Sequence, residues 1–155
     1  MAKATHHIPE GLFALTPQLV VSDGRALAEF ARRAFGAELG DVMPGPDGKG
    51  VMHGHLHIGG STLFFSDLLG FAEPTKANLF VYVPDVDAAV ARAVEAGATV
   101  RAPVMDMFWG DRWGMVADPW GNVWQVATHV ERLDPAEMKA RMAASMGAPG
   151  ATEAK

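Results

Sequence analysis

An internal repeat constrains this chain more than any other feature. Leu19-Val20-Val21-Ser22-Asp23 leads into GRALAEFARRAFGAE, and Val81-Tyr82-Val83-Pro84-Asp85 leads into VDAAVARAVEAGAT. Each copy reads as a β-branched strand, a turn ending in Asp, an alanine-rich helix and a Gly-Ala pair. Asp23 and Asp85 stand at N-cap positions, where a short carboxylate side chain accepts from an unpaired N–H of the first helical turn. Gly36 and Gly97 stand where a left-handed residue closes the last turn. The second halves correspond as well. VMHGHLHIGGSTLFFSD and WGMVADPWGNVWQVATH each read as two apolar strands around a glycine turn, with Gly60 and Gly121 in matching places.

The chain therefore reads as two strand–helix–strand–strand–strand modules, an α+β fold. Strands are expected at about 13–21, 39–44, 51–58 and 61–67, then at 78–83, 99–102, 112–118 and 122–127. Helices are expected at about 24–35 and 86–96. PGPDGKG (Pro44–Gly50) is a turn between strands, and RAPVMDMFWGDR (Arg101–Arg112) is a loop or irregular strand. Residues 1–12 form an N-terminal arm, and 13–130 form one domain of two modules, 13–69 and 77–130, joined near Gly70–Lys76. A further helix is expected over 131–146, with Asp134 as N-cap, Pro135 in the first turn and Glu137 completing a capping box. Its Met138, Met142 and Met146 share a face, expected to pack on the domain or on a partner subunit. Residues 147–155 read as a disordered tail.

Composition removes several function classes. The length of 155 residues suits one domain with a sizeable core. There is no cysteine, so disulfides, thiolate catalysis and thiolate metal sites are excluded, and a cytoplasmic location is expected. No apolar run reaches the roughly 20 residues a membrane span needs, and MAKATHHIPEG has no secretory pattern. The net charge is -5 with no Lys/Arg cluster, which argues against nucleic acid as a partner. The acidic balance favours a neutral or cationic small partner. Walker, GxGxxG, GxSxG and HExxH signatures are absent.

Taken together, IPEG (Ile8–Gly11), TPQLVV (Thr16–Val21), FARRAFGAE (Phe30–Glu38), VMHGHLHIGG (Val51–Gly60), VYVPDVDA (Val81–Ala88), FWGDRWGMVADPWGNVW (Phe108–Trp124) and ATHVE (Ala127–Glu131) resemble the vicinal oxygen chelate superfamily. That superfamily holds glyoxalase I, ring-cleaving dioxygenases and bleomycin-resistance proteins, and the PhnB-like group is the nearest match. The resemblance implies two paired βαβββ modules whose sheets curl around a cavity, and a homodimer. It also implies where a metal would sit, on the first and last strands of each module, held by His and Glu. Carried over residue by residue, those positions are Thr16, Phe64, Asn78 and Gln125. None is a histidine or carboxylate, and Zn, Ni or Fe needs such donors. No metal or other cofactor is therefore expected.

The histidines need a separate reading. His53, His55 and His57 alternate along one strand, so their side chains share a face. If Gly59-Gly60 closes a two-residue hairpin, Ile58 faces Ser61, His57 faces Thr62, His55 faces Phe64 and His53 faces Ser66. The histidines then line the cavity. Alternate residues lie about 6.6 Å apart along a strand, so two imidazoles can share an ion but three cannot. A third ligand would have to come from elsewhere, such as His129 or Asp67.

Other residues share the cavity face. Phe80 and Tyr82 have the parity of Asn78, and Trp109 and Trp113 are placed over a ligand, while Trp124 is assigned to the core. Gln18, Asn78 and Gln125 supply neutral hydrogen bonds. Asp111 and Arg112 are read as a turn pair. The expected function is binding of a small molecule, bulky and aromatic or cationic, such as an antibiotic. The alternative is an enzyme of the lyase, isomerase or dioxygenase type, with His53 and His55 as metal ligands or acid/base.

Overall fold

The computed structural model describes residues 3–70 and 72–147. Module one runs β1 (Gln18–Val21), α1 (Gly24–Phe35), β2 (Glu38–Met43), β3 (His53–Ile58) and β4 (Ser61–Asp67). Module two runs β5 (Asn78–Tyr82), α2 (Val86–Glu95), β6 (Thr99–Asp106), β7 (Asp111–Ala117) and β8 (Val123–His129), followed by α3 (Pro135–Gly147). The two sheets have the same topology, β1-β4-β3-β2 and β5-β8-β7-β6. In each, the first strand pairs parallel with the fourth and the other neighbours are antiparallel. The repeat read from sequence is thus a repeat of pairing as well as of order.

The caps form as the sequence dictates. Asp23 Oδ1 accepts from the Ala26 N–H at 2.9 Å, and Asp85 Oδ1 accepts from Ala88 at 3.0 Å. Gly36 closes α1 at φ 70°, a conformation that costs a side chain about 1 kcal/mol or more. α1 and α2 each lay an apolar stripe on their own sheet and also face each other. Arg92 donates to the Ala34 carbonyl and Arg33 to that of Glu95, at 3.3 Å each. Trp124 is 1% exposed and meets Phe35 at 4.8 Å between ring centroids, so one core spans both modules. The connection between modules adds polar ties: Thr75 N–H donates to the Val20 carbonyl, and the Thr75 hydroxyl donates to Asn122 Oδ1.

Four expectations change. The first strand begins at Gln18 rather than 13, because Pro17 has no N–H and Thr16 turns back to donate to the Phe13 carbonyl. β6 continues to Asp106 but with two breaks in register, and Pro103 lies within the irregular stretch. Asp134 caps α3, accepting from Ala136 and Glu137 N–H at 2.9 Å each. The Glu137 carboxylate, however, binds Arg141 at 2.8 Å. Finally, α3 has no buried residue, and Met142 and Met146 are exposed in the single chain. Of the expected tail, 148–155 lies outside the described residues.

Candidate functional site

The β3–β4 register follows the hairpin through Gly59-Gly60. Ile58 pairs with Ser61, His57 with Thr62 and His55 with Phe64. Leu56 and Phe65 turn to the helix side and are buried, leaving the histidine face open. There His55 stacks on Phe64 at 4.7 Å, His53 meets Phe64 edge-on at 4.6 Å, and His53 Nε2 lies 3.1 Å from His55 Nε2. One of the two must donate and the other accept. Burial, then the proximity of His55, pushes the His53 imidazole below its ordinary pKa. His57 is held apart by Thr62, with Nδ1 at 3.2 Å from its hydroxyl. Gln18 Nε2 reaches Ser66 Oγ at 3.5 Å. Thr16, Phe64, His53 and His55 line an open recess of about 650 Å³, closed on its other side by the arm, with His7, Ile8 and Phe13.

Module two presents a second face. Phe80 pairs with Gln125 and Tyr82 with Ala127 on β8, while Trp113 and Met115 of β7 face Ala127 and Gln125. Two hydrogen-bond networks order this face. Trp113 Nε1–H donates to Gln125 Oε1 at 3.2 Å, and Gln125 Nε2–H donates to Asn78 Oδ1 at 3.0 Å. In the second network the Asp111 carboxylate receives the Tyr82 hydroxyl at 3.0 Å, Trp109 Nε1–H at 2.9 Å and His129 Nδ1 at 2.8 Å. The bond to Asp111 raises the Tyr82 pKa, with burial adding to it, so the phenol stays a donor. The aromatic rings sit close: Phe80–Tyr82 at 5.2 Å and Trp109–Trp113 at 6.4 Å.

Twelve residues were expected at a ligand site, and the structure places them in two groups. His53, His55, Phe64 and Thr16 share the arm-covered recess, with Gln18 and His57 on the same sheet. Asn78, Phe80, Tyr82, Trp109, Trp113 and Gln125 share the module-two face. Asp111 is a correction. It does not pair with Arg112, which instead binds Asp87 at 2.7 Å and Asp106 at 3.0 Å. Asp67 is no ligand either, because its carboxylate accepts from Gly24 and Val51 N–H at 2.6 and 2.9 Å. The Asp111–His129 pair was missed. Its signal lay in the register across the Asp118–Asn122 turn, which sets Asp111 opposite His129.

The family match now decides the assignment. The description "Glyoxalase/Bleomycin resistance protein/Dioxygenase superfamily" fits residues 12–126. The chain belongs to that superfamily. An uncharacterized protein of Mycobacterium tuberculosis (strain H37Rv) is 41% identical over 141 residues, covering 83% of this chain and 82% of the relative. TioX from Micromonospora sp. ML1 superposes with a TM-score of 0.63 at 26% identity, covering 75% of this chain and 98% of TioX. TnmS3 from Streptomyces sp. CB03234, described as an antibiotic binding protein, gives 0.57 at 26% identity, covering 76% of this chain and 97% of its own.

Superfamily members that use a metal need several strong donors in one place. Here Thr16 precedes β1 and Phe64 stands on β4, and Asn78 and Gln125 are bonded to each other on the other sheet. Neutral amides, a hydroxyl and a phenyl ring do not fit a divalent transition metal. Among the described residues, no three His, Asp or Glu side chains converge on one point. Among them also, no helix is long and apolar enough to cross a membrane.

Proposed function

We propose that the protein binds a bulky aromatic or cationic small molecule without a metal, as a cytoplasmic homodimer, on the pattern of the antibiotic-binding branch of the superfamily. Within the superfamily, the resemblance of its motifs, IPEG and FWGDRWGMVADPWGNVW among them, supports a PhnB-like reading. The observation that carries the reading is the module-two face. Its polar groups bond one another, so they hold aromatic rings in fixed places while leaving no strong unpaired donor set for metal chemistry. The description of TnmS3 as an antibiotic binding protein supports the same reading. Dimerisation is supported by apolar side chains left open on the two sheets: Met43, Phe80, Tyr82 and Met105 are 40–61% exposed in the single chain.

Elemental analysis after dialysis against Zn, Ni, Mn and Fe tests the metal-free part. Retention well below one ion per chain is expected, and retention near one sinks it. Titration with planar aromatic compounds, cationic and neutral, followed by tryptophan fluorescence, tests the ligand class. Saturable quenching is expected.

One observation favours the enzyme reading. His53 and His55 Nε2 converge at 3.1 Å, close enough to share one ion or one proton. If these imidazoles act in turnover, His55→Ala abolishes it and leaves the fold intact. Turnover surviving His55→Ala removes that reading.

A further inference from the structure

Asp111 is 2% exposed, yet its charge is not offset by the arginine beside it in sequence. Arg112 turns to Asp87 and Asp106. Three other donors come to Asp111: the Tyr82 hydroxyl and Trp109 Nε1–H on Oδ2, and His129 Nδ1 on Oδ1. An indole N–H can only donate, and Tyr82 keeps its proton, so the carboxylate is the acceptor throughout. In the neutral imidazole this bond puts the His129 hydrogen on Nδ1, which leaves Nε2 as the lone-pair nitrogen. The His129 side chain is 58% exposed, against 3% for Asp111. A buried carboxylate thus fixes the tautomer of an open imidazole. The same carboxylate holds Trp109 and Tyr82, whose rings neighbour Trp113 and Phe80 at 6.4 and 5.2 Å.

We infer that His129 Nε2 accepts the hydroxyl of a planar hydroxyaryl ligand whose ring lies against the neighbouring aromatic side chains. The inference rests on the aromatic binding proposed above and narrows it to one ligand class. A full cation is the weaker match at this point. Asp111 is covered by its three donors, and what is offered to a ligand is the Nε2 edge of the ring, whose lone pair in the neutral imidazole suits a weakly acidic O–H. The hydroxyl hydrogen is shared with Nε2, and any positive charge growing on the ring is met by the Asp111 carboxylate at 2.8 Å. The more acidic the hydroxyl, the stronger the bond.

The test uses two probes of nearly equal shape, 2-naphthol and 2-methoxynaphthalene, titrated calorimetrically into the full chain. Only the naphthol can donate. One good hydrogen bond predicts about five- to tenfold tighter binding of the naphthol. In His129→Phe, a substitution at an exposed side chain, the ratio falls to about one while the ether still binds. Equal binding of both probes to the wild-type chain overturns the inference and leaves the aromatic binding proposed above standing. So does a ratio that survives His129→Phe, or a variant that loses both probes alike, since the residue then acts through shape. If neither probe binds the wild-type chain, the inference falls together with the aromatic reading.

Discussion

Two imidazoles whose Nε2 atoms lie 3.1 Å apart cannot both hold a proton between them. His53 is the one pushed down, by burial first and by His55 second. The sign for stability follows from linkage. In the folded chain His53 takes up its proton only below the ordinary imidazole value of 6.5, so the unfolded chain binds more protons in that window. The His53 contribution is therefore complete above that value and is lost as pH falls through it toward the lower folded value. Urea denaturation at about pH 7.5 and about pH 5.5 should show the wild type weakening on acidification, and His53→Phe weakening less. Asp118 is a second single-residue case. It is 5% exposed and accepts from Trp120 N–H, Asn122 N–H and Trp124 Nε1–H at 3.0, 2.9 and 3.0 Å. Asp118→Ala strands two buried donors and a half-buried one and should cost about 3 kcal/mol in urea unfolding. Nothing in the local pattern DPWGN marks Asp118 as buried; that depends on Trp124 being packed above it.

At the level of elements, the β3–β4 hairpin was legible because a two-residue turn and a period of two leave one register that buries Leu56 and Leu63 together. Gly54 has a reason that sequence did not disclose. A β-carbon there would run into the Phe65 ring, and Phe65 is 1% exposed. Gly54→Ala should therefore destabilise by about 1–3 kcal/mol, through overpacking, and shift the β3 face that carries His53 and His55. Thermal unfolding, with histidine ring NMR signals to follow the face, checks both parts. β6 was not legible to its end, because Pro103 and two breaks of register hide a strand behind a pattern without alternation. The C-terminal helix was legible from its cap, but what its methionine face packs on was not: a stripe at helical spacing states only that some apolar surface is wanted.

For the molecule as a whole, the single core makes unfolding one event. Trp124→Ala removes the largest fully buried side chain, which touches the helix of the other module through Phe35. It should cost about 3–5 kcal/mol, with both modules melting in one transition by calorimetry. Size-exclusion chromatography with light scattering should return twice the chain mass. A monomer at micromolar concentration would remove the proposed dimer.

The repeat, the Asp N-caps of the helices, the hairpin register and the shared face of His53, His55 and His57 were set by the sequence alone. Each is a local matter of backbone sterics, hydrogen-bond capacity and a period of two or 3.6. The tertiary structure decided which polar groups find one another across strands far apart in sequence. It took Arg112 from Asp111 and gave it to Asp87, a helix residue 25 positions away. It also set His129 against Asp111, 18 positions away, and spent Asp67 on two backbone N–H groups. A side chain's partner is fixed by whichever donor or acceptor burial brings within about 3 Å, and spacing along the chain carries almost no information about that distance.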